Sequence, residues 1–278
     1  MTTLSSASSI PVDIGVPLCV DLDGSLIKSD SLVEGLVLAL RKKPLSCLRA
    51  CLSLGAGRAR FKRRIAELAD IDPRLLPYRA DLLALLSAEA LAGRSLILAT
   101  AADEIVALGI AAHLGIFDRV IASDGVVNRK GNEKLRAIKM VASRFLYVGD
   151  GVADVPVWEQ SQGAIVVGSK RKILEAIRQS GIPIYAQFPS TASYRTIAKA
   201  IRVHQWPKNL LVLLPIFLGH RATDILTWES GLLTMAAFCL VASLSYVIND
   251  LTDLEADRQH EHKRHRPFAS ADLSLPAG

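Results

Sequence analysis

Residues 16–24 read VPLCVDLDG, an apolar run that stops at two aspartates one residue apart, with a glycine behind them. Side chains of an extended chain repeat every second residue, so Asp21 and Asp23 face the same way, and Gly24 lets the backbone turn aside so that both can address one ligand. Two close carboxylates repel each other unless a cation lies between them or one keeps a proton. A hard ion such as Mg2+ meets that need and leaves one carboxylate to attack phosphorus as a nucleophile while the other moves a proton. The plainer reading is a strand end followed by an Asp-Gly turn.

Further strand ends favour the first reading. The run SLILAT at residues 95–100 reads as a buried strand that delivers the Thr100 hydroxyl at its carboxyl end. FLYVGDGVAD, residues 145–154, reads as another that closes on Asp150 and Asp154. Open parallel sheets bind ligands outside the carboxyl ends of their strands, so these groups should converge. Lys130, followed by Gly131, adds a cation suited to neutralising a phosphate, and Lys134, one helical turn later, is its rival.

In this order the segment resembles the haloacid dehalogenase superfamily of phosphohydrolases, particularly its phosphoserine-phosphatase-like branch. The family pattern of DxDG(S/T), a strand-end Ser or Thr, a lysine before glycine and GDGxxD is met by Asp21 and Asp23, Thr100, Lys130, and Asp150 and Asp154. The resemblance implies a three-layer, Rossmann-like α/β domain with a helical cap. It also implies Asp21 as nucleophile, Asp23 as general acid and base, and Thr100 and Lys130 as holders of the transferring phosphoryl group. Mg2+ would be bound by Asp21, the Asp23 carbonyl and Asp150, with Asp154 behind them. Lys130 is preferred to Lys134 because the family's lysine commonly precedes a glycine.

At 278 residues the chain is long enough for one or two domains with a real core. Its four cysteines, Cys19, Cys47, Cys51 and Cys239, have no zinc-like pairing; Cys47 and Cys51 read as buried small hydrophobes, and a reducing compartment follows. Residues 1–13 have neither a basic start nor an apolar signal core and read as a disordered lead-in. The net charge of +6 is concentrated: residues 35–66 hold nine basic residues and no acid. That run is either a solvated helical face or a surface for anionic lipid or a phosphate-bearing substrate. Aromatic residues are not interleaved with it beyond Phe61, which argues against nucleic acid.

Residues 31–92 are too long for a plain crossover and read as a helical cap inserted after the first strand, carrying the basic run. The α/β domain is expected over residues 14–184, a linker over 185–198, and a membrane segment over 199–278. Within the last, residues 209–219 and 231–248 are almost free of charge, and the second run is near the length needed to cross a bilayer. Basic residues lie before the first run and after the second, so a hairpin with both ends and the N-terminal domain in the cytoplasm is expected, multi-pass in the inner (plasma) membrane.

The second run leads into Asn249, Asp253 and Asp257, which a continuous helix would stack about 6 Å apart along one face. Ionisable groups at a membrane edge mark a functional site more often than not. Here the sequence resembles the UbiA superfamily of intramembrane prenyltransferases, whose first aspartate motif is NxxxDxxxD, and QWPKN at residues 205–209 looks most like the branch that transfers phosphoribose onto polyprenyl phosphate. The resemblance implies Mg2+ bridging a diphosphate at Asn249, Asp253 and Asp257, with a polyprenyl phosphate or diphosphate as partner. The family needs a second aspartate motif and more spans, so the chain reads as the truncated first helices of such an all-α bundle or as an inactive membrane part. Three functions then compete: a fusion of phosphatase and transferase acting on phosphorylated or lipid-linked substrates, a membrane-anchored phosphomonoesterase, and a membrane adaptor.

Overall fold

The computed structural model describes residues 13–168, 171–189 and 194–275. The expected lead-in lies outside these apart from Asp13. The chain forms two compact units, Met1–Thr191 and Ala192–Gly278.

The first unit is built on six parallel strands: β1 (Leu18–Val20), β2 (Leu96–Asp103), β3 (Arg119–Ser123), β4 (Leu146–Gly149), β5 (Gly163–Val167) and β6 (Ile184–Phe188), in the order β3-β2-β1-β4-β5-β6. Both faces of the sheet are covered, which is why its strands are almost wholly apolar. Alternation divides them: Leu18, Val20, Leu98 and Val148 face one core, while Cys19, Ile97, Tyr147 and Val166 face the other. The strand order reverses between β1 and β4, whose pairing aligns Val20 with Val148, and ligand crevices open at such a reversal, beyond the carboxyl ends of the strands. Asp21 and Asp150 stand on either side of it.

Three helices follow β1: α1 (Ser31–Lys42), α2 (Pro44–Leu52) and α3 (Arg58–Ala69). Asp30 starts α1 by accepting from the Leu32 and Val33 amides at 2.9 and 3.1 Å, supplying partners for N–H groups that have none within the helix. These helices have a core of their own, formed by Leu38, Cys47, Ala50, Phe61 and Ile65, so the cap is a separate layer. It is shorter than the sequence suggests. Helix α4 (Ala80–Leu91) buries Leu82 and Leu86 with Leu18 and Val20, and so belongs to the sheet domain. The remaining helices of this unit are α5 (Glu104–Leu114), α6 (Asn132–Val141), α7 (Val155–Trp158) and α8 (Arg171–Gln179). The linker expectation is likewise corrected at its start, because residues 184–188 pair with β5 as a sixth strand.

The second unit contains α9 (Tyr194–Ala200), a 3-10 stretch (Val203–Leu213), α10 (Leu214–Leu218), α11 (Ile225–Thr252) and α12 (Leu254–Gln259). The residues of the expected first span are divided between the 3-10 stretch and α10. Pro207 lies in the 3-10 stretch and Pro215 in the first turn of α10, and a residue without an amide hydrogen starts a helix more readily than it continues one. Among the described residues, α11 alone is long and apolar enough to cross a membrane, with 17% of its most apolar window buried inside the protein. Trp206 Nε1 donates to Ser243 Oγ at 3.1 Å and Ser243 Oγ to the Ile201 carbonyl at 2.8 Å, which ties the 3-10 stretch to α11.

Candidate active site

The Asp21 amide donates to the Val148 carbonyl at 3.0 Å, carrying the β1–β4 ladder one step past the last paired residue and fixing the carboxylate at the crevice. The chain then closes on itself: the Leu26 amide reaches the Asp21 carbonyl at 3.2 Å, and the Gly24 amide the Ser29 carbonyl at 3.0 Å. This tight loop is why Asp23 returns to the site, where its Oδ1 accepts from the Ser31 amide at 2.7 Å. Gly24 sits at φ +74°, and a Cβ there would lie 2.5 Å from Asp150 Oδ2. The glycine is needed both for its conformation and for the close approach of Asp150.

Asp21, Asp150 and Asp154 offer carboxylate oxygens that all lie within 4.8 Å of one another, and no second group of three acidic, His or Cys ligands lies so close among the described residues. The lysine that joins them is Lys134. Its ammonium is 2.9 Å from Asp21 Oδ1 and 3.0 Å from Asp154 Oδ1, and it donates to the Tyr147 hydroxyl at 2.9 Å. Lys130, preferred from the sequence, is exposed in the loop before α6. Gly131, at φ +58°, turns the chain into that helix, so the residue pointed at the sheet is the one a turn inside it. Thr100 is fully buried on β2, two residues beyond the position paired with Val20, with its Oγ1 accepting from the Ala102 amide at 3.0 Å.

Burial dominates the electrostatics. Burial, reinforced by the nearby Asp154 and opposed by Lys134, lifts the Asp21 carboxyl to about 8 in the metal-free protein. Burial with the neighbouring Asp30 lifts Asp23 to about 6. Burial lowers the pKa of Lys134, but Asp21 and Asp154 outweigh it and hold that pKa above the ordinary lysine value. Asp154 is saturated: Oδ1 accepts from Lys134 and from the Tyr147 hydroxyl at 2.7 Å, and Oδ2 from the Gly151 amide at 3.1 Å. It organises Lys134 and the 150–154 turn, while Asp21 and Asp150 supply oxygens of the hard type that Mg2+ prefers.

Several contributors were not singled out from the sequence. Tyr147, on β4, enters the site through Lys134 and Asp154. Lys62 and Arg63 come from the cap, and only the fold brings them here. Lys62 donates to the Ala101 carbonyl at 2.6 Å and to Asn128 Oδ1 at 3.1 Å, and it lines a cleft of about 50 Å³ with Asp23, Asp30, Ser31 and Asp103. Arg63 spans Asp103 and Glu104, each at 2.9 Å.

The aspartates of the second unit have different surroundings. Helix α11 ends at Thr252 and α12 starts at Leu254, so the expected unbroken helix is interrupted at Asp253. The four-residue step survives, since the Asp253 amide reaches the Asn249 carbonyl at 2.9 Å and the Asp257 amide the Asp253 carbonyl at 2.8 Å. Asn249 is exposed, Asp253 half-buried and Asp257 buried. Asp257 takes Arg266 at 2.7 Å. Asp250, which the sequence reading passed over, is buried between Arg202 at 3.0 Å and Arg266 at 3.1 Å, and Arg202 also stacks over Tyr246.

No protein-family model matches the chain. It is 39% identical over 268 residues to the uncharacterized protein y4nM of Sinorhizobium fredii, covering 96% of this chain and 52% of that protein. In its C-terminal part it is 48% identical over 81 residues to the nodulation protein NoeC of Azorhizobium caulinodans, 26% of whose length is covered. The decaprenyl-phosphate phosphoribosyltransferase of Corynebacterium glutamicum shares 43% over 79 residues, 24% of its length. The chain thus spans about half of the first of these relatives and about a quarter of the others. Among solved structures, a Bordetella pertussis protein of unknown function matches 60% of this chain and 96% of its own at 18% identity, with a TM-score of 0.48. A substrate-bound phosphoserine phosphatase matches 62% and 94% at 15% identity, with a TM-score of 0.42.

Proposed function

We propose that the first unit is a Mg2+-dependent phosphomonoesterase. The observation that carries the reading is the meeting of Asp21, Asp150 and Asp154 at the strand-order reversal, bridged by a buried lysine, with Gly24 kept clear for Asp150. Asp21 attacks phosphorus as a carboxylate, the form that the Lys134 ammonium favours against burial, forming a P–O bond as the ester oxygen leaves, and Asp23 protonates that oxygen. Asp23 then takes a proton from the water that releases phosphate from Asp21. Lys134 and Thr100 hold the phosphoryl oxygens. Asp21, the Asp23 carbonyl and Asp150 would bind Mg2+, which supplies charge neutralisation for the phosphoryl group.

For the second unit, and within a longer chain, we propose the start of a membrane transferase domain acting on a polyprenyl phosphate. Its support is the similarity to the phosphoribosyltransferases together with the length of α11. The two readings fit one substrate class, because a phosphoribosyl group placed on a lipid phosphate still carries a phosphate monoester. Phosphate release from a small phosphomonoester by the detergent-solubilised chain tests the first reading. Turnover should require Mg2+ and fall at least 10³-fold in Asp21→Asn, which changes volume little and leaves the circular dichroism unaltered. Undiminished turnover in that variant overturns the assignment.

A further inference from the structure

Helix α2 of the cap is packed inside out. The residues it turns into the protein are Cys47 and Ala50, 3% and 4% exposed, whereas Leu45, Leu48 and Leu52 are 72%, 62% and 81% exposed. At about 100° per residue the three leucines fall within roughly 60° of one another, a single stripe opposite the small residues. Leu40 before the helix and Leu54 after it are exposed as well. A scattered surface leucine needs no explanation, but a stripe of them marks a contact.

The charges on this segment have one sign. Lys43 immediately precedes the helix and Arg49 stands on it, about 40° round from Leu45, both exposed, and no acid occurs between residues 35 and 66. An apolar stripe flanked by cations is the pattern of a helix lying in the headgroup region of an anionic bilayer. The same chain carries a helix of membrane-spanning length, so a lipid surface is within its reach. We propose that α2 docks the cap onto anionic lipid, with Leu45, Leu48 and Leu52 entering the acyl region and Lys43 and Arg49 meeting lipid phosphates. This surface is independent of the catalytic reading, since none of its residues touches the acidic site.

The full chain, reconstituted in vesicles that carry a phospholipid photoactivatable in its acyl chain, tests this. Helix α11 serves as the reference for insertion. In vesicles of phosphatidylcholine with phosphatidylglycerol, peptides covering residues 45–52 should be labelled. Labelling of α2 relative to α11 should fall at least 10-fold in phosphatidylcholine alone, and equally in the Leu45→Ser, Leu48→Ser, Leu52→Ser triple variant. Lys43→Ser with Arg49→Ser removes only charge and guards against a folding defect in the triple variant; it should lose the preference for anionic vesicles. Absence of α2 labelling, labelling indifferent to anionic lipid, or crosslinks joining α2 to a second copy of the chain in place of lipid would each overturn the proposal.

Discussion

Both units bury aspartates beside cations, and the bookkeeping differs. In the first, three carboxylates converge and Lys134 bridges two of them, Asp21 and Asp154. In the second, Asp250 and Asp257 are matched by Arg202 and Arg266, whose fork geometry pairs with carboxylates over fixed distances. The first arrangement carries more acid than the lysine neutralises. The second is self-neutralised and reads as a structural clamp. Aspartates of similar burial thus differ in how their charge is answered.

The strongest way to break this contrast is to remove the shared lysine. Lys134→Met leaves two buried carboxylates facing each other without their ammonium, and breaking a buried pair from one side costs about 3–5 kcal/mol. Turnover should fall at least 10³-fold, and unfolding of the first unit, followed by urea titration, should shift by that amount. Lys130→Met should leave both within a few-fold, because Lys130 is exposed. Equal losses in the two variants would mean that the buried geometry does not decide which lysine acts.

That choice shows where sequence reading stops. The strands and their terminal aspartates were legible because an apolar run ending in acid has few interpretations, and Asp21, Asp23, Asp150 and Asp154 all lie at the expected crevice. The choice between Lys130 and Lys134 was not, because both precede or enter one helix and only the φ of Gly131 decides which turns inward. Lys62 and Arg63 were hidden for another reason: they reach the site across about forty residues of chain, as part of a basic run whose members otherwise face solvent. In the second unit, hydropathy reads residues 209–219 as a span, while Pro207 just before it and Pro215 within it accompany the change from a 3-10 stretch to α10. Asp250 was overlooked because a spacing motif draws attention to every fourth residue, whereas burial selects its immediate neighbour.

The next largest effect is expected in the clamp. Arg266→Ala removes the cation shared by Asp250 and Asp257, leaving Arg202 on the one and the more distant Lys263 on the other, and with the arginine itself about a quarter exposed, the loss should be about 2–3 kcal/mol for the second unit. Phosphomonoester turnover should be unchanged. Adding Asp257→Asn to Arg266→Ala should restore about 1 kcal/mol or more, a coupling read by a double-mutant cycle. Loss of turnover in Arg266→Ala would show that the two charge networks are coupled.

Stability against pH sharpens the other half of the comparison. Asp21 and Asp23 have folded-state pKa values of about 8 and about 6, above the ordinary aspartate value. Between the unfolded and folded pKa values the native state therefore holds protons that the unfolded chain has released, so stability falls as pH rises through that window. Without metal, the melting midpoint of the first unit should be lower at pH 8 than at pH 5, by on the order of 5 °C. Mg2+ at pH 8 should recover the difference, since it binds only the folded site. A midpoint that rises from pH 5 to pH 8 in the metal-free protein would mean that Lys134 alone compensates the acids.

The smallest effect concerns Arg63, which does for the cap what Arg266 does in the second unit: one guanidinium, about a quarter exposed in each case, holds two carboxylates. The partners differ. Asp250 and Asp257 are both buried, whereas Arg63 joins the buried Asp103 to Glu104, which is 42% exposed and can be hydrated when the arginine is lost. Asp103 also keeps the Ile105 amide at 3.0 Å as its helix-capping partner. Arg63→Ala should therefore cost about 1 kcal/mol or less, well below Arg266→Ala. What it should change is the cap: with α3 untied from the start of α5, hydrogen exchange in residues 58–69 should speed up several-fold and KM should rise while kcat is held within about two-fold. If instead Arg63→Ala destabilises its unit as much as Arg266→Ala does the other, burial of the partner acids is not what separates the two clamps.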